Sequence, residues 1–172
     1  LVNNTYIFSK KKILSLYLSS NIYNRKITSS IVGALEYYPS PNLLDSLVKY
    51  DKKKINVENY SLNKIWDNKE LKGKDYKNLN SFFWLFSLDL KSSKKDIQNV
   101  ILQWIDKNYR YNPKSWEVDI VAKRIIAWTS NYRLTYENSS TDYRNKFNRV
   151  IKKQVNHLIN EIEGSEWVDD KM

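Results

Sequence analysis

A chain of 172 residues without cysteine and with a single histidine cannot build a disulfide framework, a thiolate metal site or a His-rich metal centre. Only three Gly and three Pro, against 14% aromatic residues including thirteen Tyr, argue against a β-rich fold with many tight turns and for helices joined by short polar loops. The net charge of +10 invites a polyanion partner, but only six of the 29 basic residues are Arg, and a Lys- and Asn-rich composition explains part of the charge without a dedicated nucleic-acid face.

The first apolar segment predicts a short amphipathic helix over 5–19, carrying Tyr6, Ile13, Leu14, Leu16, Tyr17 and Leu18 and stopped by Ser19-Ser20-Asn21. The lysines Lys10 to Lys12 precede an apolar run too short and too polar for a signal peptide, and nothing reaches the roughly 18 apolar residues of a membrane span. Residues 20–62 read as an irregular lead-in. Pro39 and Pro41 mark a turn, Leu43 to Val48 give one or two helical turns, Lys52-Lys53-Lys54 is a solvated run, and Ile55 to Glu58 alternates like a strand. Residues 63–172 are expected to form a helical region in the same domain.

From residue 74 the helical period sharpens. A helix starting at Asp75 or Asn78 and running to about Lys91 carries Leu79, Phe82, Phe83, Phe86 and Leu90 on one face, widened by Trp84, Leu85 and Leu88. Ser93-Lys94-Lys95-Asp96 has the pattern of a capping box and opens a helix with Ile97, Val100, Ile101, Trp104 and Ile105 on one stripe. Ser115 is placed to cap the next helix, with Trp116, Ile120, Val121, Ile125 and Trp128 buried and Arg124 at the edge of that face as an anchor for a carboxylate or a helix C-terminus. Asn131 to Ser140 reads as a loop. Ser139 to Asp142 caps a last helix over 141–162 whose stripe is Tyr143, Phe147, Val150, Ile151, Val155, Leu158, Ile159 and Ile162, ended by Gly164.

No glycine-rich phosphate loop and no Ser-His-Asp arrangement can be assembled, and no cofactor is implied. His157 lies off the centre of the last apolar face and reads as a boundary surface residue. Glu161, Glu163 and Glu166 read as helix-surface charge. Trp84, Trp104 and Trp128 read as core. Trp116 and Trp167 could instead face a cleft, where an indole stacks on a sugar face or a base, and Asp169-Asp170 is a pair of adjacent acids. The candidate substrate-binding residues are therefore Trp116, Trp167, Asp169 and Asp170, with no metal site.

The order Phe83-Trp84-Leu85-x-x-Leu88, Trp104-Ile105, Trp116, Arg124-x-x-x-Trp128 and Gln154-x-x-x-Leu158 resembles the N-terminal helical region of heparinase II/III-like polysaccharide lyases. The likeness runs over about residues 10–165 and includes Leu16 to Tyr23 and the Pro39/Pro41 stretch. It implies an all-α arrangement of helical hairpins forming part of an incomplete (α/α) toroid, with an antiparallel β-sandwich following in complete members. It also implies β-elimination on an acidic polysaccharide, with proton abstraction beside a uronate carboxylate. Some members carry Gly-Asn-His just past the last helix, where this chain has Trp167-Val168-Asp169-Asp170, so no catalytic Asn is carried over. The expectation is the first part of such a lyase, inert alone, with the remainder of the chain beyond Met172. The competing readings are a basic helical module that binds nucleic acid or another polyanion, and a helical domain that pairs with a second subunit.

Overall fold

The computed structural model describes residues 9, 12–29, 66, 72–88 and 93–169, with side chains to Glu163. Every regular element among them is helical, as composition and periodicity lead one to expect. In chain order these are α1 over 12–18, α2 (Asn21–Ser29), α3 (Gly73–Ser81), a 3₁₀ helix (Phe83–Ser87), α4 (Lys94–Asn108), α5 (Val118–Ser130), α6 (Tyr132–Thr135) and α7 (Thr141–Asp169). No helix among the described residues is long and apolar enough to cross a membrane. The proline turn, the expected turns over 43–48, the strand-like Ile55 to Glu58, and Tyr6 and Leu90 lie outside the described residues.

Helix α5 is the hub. It packs on α3, the 3₁₀ helix, α6 and α7, while α4 packs on α6 and α7, and α2 lies along α7. Ile97, Val100, Ile101, Trp104 and Ile105 of α4 are all buried, as their spacing requires. The Ser93 side chain accepts from the Asp96 N–H at 3.3 Å, which satisfies one of the free donors at the start of α4. Ser140 does the same for Tyr143 at the start of α7, also at 3.3 Å.

Several boundaries differ from the sequence reading, each for a local reason. Ser19-Ser20-Asn21 does end α1, but the Ser20 hydroxyl accepts from the Tyr23 N–H at 3.1 Å and so starts α2 inside the expected irregular lead-in. The helix expected to run to Lys91 breaks at Phe82, which takes left-handed φ 57°. A continuous helix would spread Phe82, Trp84 and Leu85 around its circumference. The break buries all three, and the Trp84 indole N–H donates to the Leu79 carbonyl, which also accepts from the Phe82 N–H at the helix end. Ser115 does not cap α5. Glu117 is the N-cap residue there, and the Ser115 hydroxyl donates instead to Asn108 Oδ1 at 2.9 Å.

The expected loop between Asn131 and Ser140 contains α6, because Leu134 and Thr135 are buried against α4 and the Thr135 hydroxyl donates to the Trp128 carbonyl. Helix α7 continues through Gly164 to Asp169, since a single interior glycine costs only about 1 kcal/mol of helix propensity.

Two apolar clusters result. The larger gathers Phe82, Trp84, Trp104, Trp128 and Phe147. Phe82 meets Trp128 edge-on at 5.0 Å and stacks on Trp84 at 5.5 Å, Trp128 stacks on Phe147 at 5.2 Å, and Trp66 packs on Phe82 while its N–H donates to the Val100 carbonyl. The smaller holds Leu18, Tyr23, Ile27, Trp116 and Val121, and so ties the N-terminal helices to α5 and α7.

Candidate functional site

The most unusual feature of the interior is polar. Ile120, Val121, Ala127 and Trp128 form the buried stripe of α5, and Arg124 occupies its centre rather than its edge, with no exposed surface. Its guanidinium carbon lies 4.0 Å from the centroid of the Trp104 ring. Its Nε donates to Gln154 Oε1 at 2.8 Å, and Nη1 donates to the carbonyls of Asn80 at 2.8 Å and Ser115 at 3.0 Å.

Asn80 lies in the last turn of α3, where carbonyls are left without helical partners, so a cation there meets both free acceptors and the negative end of the helix dipole. The helix-terminus anchor expected for Arg124 is therefore present. Among the described residues no carboxylate pairs with it, and burial works strongly against its charge. Asn80 also accepts from the Trp104 indole N–H through Oδ1 at 2.9 Å. Arg124 Nη2, Gln154 Nε2 and Trp128 Nε1 are buried donors without an acceptor among the described residues, so this knot holds more donors than oxygens.

A second polar seam runs along the later half of α7. The sequence stripe places Ile159 and Ile162 inward and His157 at the surface. The structure reverses this: Ile159 and Ile162 are 46% and 53% exposed, while His157 is 1% exposed. The reason is α2, which comes from the other end of the chain and covers the polar side of α7. Tyr23 Oη lies 2.7 Å from His157 Nδ1, and His157 Nε2 lies 2.9 Å from the Trp116 carbonyl. A carbonyl can only accept, so Nε2 carries the proton and Nδ1 accepts from the tyrosine. Burial is the main cause holding the His157 pKa below its usual value, with Arg124 adding to it and the Trp116 carbonyl and Glu161 opposing it.

Asn156 donates to the Ile27 carbonyl at 2.7 Å, and Lys153 Nζ donates to Asn24 Oδ1 and to the Tyr109 carbonyl, both at 2.6 Å. The Lys153 ammonium also lies 3.7 Å from the Tyr109 ring centroid. Burial, with Arg110 and Arg149 nearby, brings its pKa down to about 8.

Of the candidate binding residues, Trp116 is 1% exposed in the turn before α5. Its N–H donates to the Asn108 carbonyl at 3.0 Å, and its ring meets His157 edge-on at 5.6 Å. Its faces are spent on protein, not on a cleft. Trp167 and Asp169 belong to the backbone of α7 but their side chains lie outside the described residues, as does Asp170 entirely. No cluster of possible metal ligands occurs among the described residues.

An open cleft does exist elsewhere, about 400 Å³ in volume, between the C-terminal end of α4 and the first turns of α7. Ile105, Asp106, Tyr109, Asp142, Asn145, Lys146 and Arg149 line it. Sequence reasoning missed it. The available signal was the polar spacing Asp142, Asn145, Lys146 and Arg149, which repeats at helical period opposite the apolar stripe of α7.

No protein-family model, no curated protein and no solved structure matches this chain.

Proposed function

We propose that this chain is the N-terminal helical region of a heparinase II/III-like polysaccharide lyase, and that its task is to hold an acidic polysaccharide for β-elimination. One observation carries the reading. The scattered positions that bear the resemblance meet in space: Arg124 stacks on Trp104 and bonds to Gln154, Trp104 meets Trp128 edge-on at 5.5 Å, and Trp84 and Trp128 share Phe82. Several members of the ordered motif series, Trp84, Trp104, Arg124, Trp128 and Gln154, thus share one buried knot, which supports a common framework. Under this reading the hairpins belong to an (α/α) toroid.

Elimination needs a group that removes the proton beside a uronate carboxylate and a positive environment that stabilises the enolate-like charge. The single histidine offers no open nitrogen, since both are engaged in the seam. Under this reading the chain by itself is expected to bind but not to turn over. Incubation with heparan-type and alginate-type polymers, followed by absorbance of new unsaturated uronates, tests this. Robust turnover overturns the division of labour proposed here. Binding of duplex DNA with a steep salt dependence, together with indifference to acidic polysaccharides, replaces the reading with that of a nucleic-acid module.

A further inference from the structure

Helices α1 and α2 pack on the fold with one side only. On α1 Leu18 alone is buried, and on α2 Tyr23 and Ile27 are. These three join Trp116 and Val121, and the Tyr17 ring meets Tyr23 edge-on at 5.3 Å. The remaining apolar side chains stand in water: Ile13 is 67% exposed, Leu16 66% and Ile22 73%. At about 100° per residue, Ile13 and Leu16 point roughly 140° and 160° away from Leu18, so turning either inward would pull Leu18 out of the core. Of the eight large apolar side chains most exposed among the described residues, five fall between positions 13 and 22: Ile13, Leu14, Leu16, Tyr17 and Ile22. Exposed apolar residues scattered singly are ordinary, but such a concentration marks a contact surface.

The same elements carry charge of one sign. From Leu1 to Leu35 the chain has no Asp or Glu, against Lys10, Lys11, Lys12, Arg25 and Lys26. Lys12, Arg25 and Lys26 are exposed, and no ion pair joins them to a carboxylate among the described residues. Arg25 lies about 160° round α2 from both Tyr23 and Ile27, on the outward side with Ile22.

We propose that the outer side of α1 and α2 is a docking surface for an anionic lipid bilayer, with Ile13, Leu16 and Ile22 entering the headgroup region and Lys12, Arg25 and Lys26 meeting lipid phosphates. The make-up of the patch chooses among partners. A nucleic-acid backbone engages the basic residues but leaves the three aliphatic side chains in water. A second copy of the chain sets like charge against like, with no acid in either patch to offset it. An anionic bilayer satisfies both halves: the aliphatic groups reach the acyl boundary while the ammonium and guanidinium groups stay among the phosphates. One short helix supplies too little apolar area to hold a membrane by itself, so the charges are the second signal that stable attachment needs. The proposal does not depend on the polysaccharide reading.

The test is flotation of the full chain with phosphatidylcholine vesicles, either pure or containing about one-third phosphatidylglycerol. Binding to the anionic vesicles is expected, weakening with added salt and about ten-fold or more weaker on pure phosphatidylcholine. The pair Ile13→Ser and Leu16→Ser, and separately the pair Lys12→Glu and Arg25→Glu, should each weaken it by about ten-fold or more. Lys95→Glu, the same charge change at the start of α4, should leave it nearly unchanged. Far-UV circular dichroism should stay the same throughout, since every altered side chain is exposed. Failure of the unaltered chain to bind anionic vesicles overturns the proposal, as does binding that survives either pair. A dimer in sedimentation that the serine pair dissociates, without vesicle binding, assigns the patch to a second copy instead. Duplex DNA binding lost with the glutamate pair but kept with the serine pair, again without vesicle binding, assigns it to nucleic acid.

Discussion

Replacing Arg124 with methionine probes the fold at its most heavily bonded point. Methionine keeps an unbranched apolar stem of similar reach, so packing against Trp104 is largely preserved and the loss is that of the guanidinium. Three acceptors then lose their donor inside the protein: Gln154 Oε1, the Asn80 carbonyl and the Ser115 carbonyl. Each stranded group costs about 1–3 kcal/mol. Against this stands relief from burying a charge that no carboxylate balances, an effect that can reach several kcal/mol. The acceptors win in this geometry, because three bonds of 2.8–3.0 Å and a ring face surround the cation.

The expected net loss for Arg124→Met is about 2–4 kcal/mol, which for a chain of this size lowers Tm by roughly 5–15 °C. Urea unfolding followed by tryptophan fluorescence measures it, since Trp104 lies directly against the site. A double-mutant cycle with Gln154→Leu should return a coupling of about 0.5–3 kcal/mol. A methionine variant as stable as the original chain, with no coupling to position 154, would refute the claim that this knot ties α3, α5 and α7 together.

Four further outcomes follow from other contacts of the fold. Tyr23→Phe leaves His157 Nδ1 without its donor and should cost about 1–3 kcal/mol, read as early unfolding or proteolysis of the α2 region. The folded-state pKa of His157 is depressed, so its stabilising contribution is present above the ordinary histidine value near 6.5 and is lost as pH falls below it. His157→Gln should flatten that acid limb of the stability profile. The folded pKa of Lys153 is also depressed, to about 8, below its unfolded value of 10.5. The unfolded chain then holds more protons between these values, so this group makes stability rise with pH across that window, and Lys153→Met removes the rise. Phe82→Ala should cost about 3–5 kcal/mol for the emptied aromatic site. Phe82→Gly should cost about 1 kcal/mol less than alanine, because glycine alone relaxes at φ 57°. Glycine faring worse than alanine would mean that this conformation carries no strain.

Helix identity was legible wherever apolar residues recur at the helical period and one face meets one neighbour. Helix α4 is such a case, and its Ser93 cap could be read from four residues. Legibility failed where burial came from two sides. The polar residues Lys153, Asn156 and His157 look like a solvated face, and nothing local says that α2, more than 120 residues away, lies on them. Arg124 is a similar case: a charge between apolar neighbours reads as a rim residue because two of its three compensating oxygens are backbone carbonyls, which carry no sequence signature. The same blindness affected function. Trp116 had the composition of a stacking platform, but its exposure depended on His157 and Tyr111, which pack against it.

The division of α7 explains why the seam is polar at all. Its first half buries Tyr143, Phe147, Val150 and Ile151 against the aromatic cluster, where apolar surface gives adhesion with little directional demand. Its second half must accept α2, a nine-residue helix with only Tyr23 and Ile27 buried. So small an apolar face cannot fix the register of one helix on another. Directional bonds can: Tyr23 to His157, Asn24 to Lys153 and the Ile27 carbonyl to Asn156 all join α2 to one short stretch of α7, and a shift of one turn breaks all three together. Lys153, which reaches Asn24 and Tyr109 at once, links α2 on α7 to the wall of the cleft.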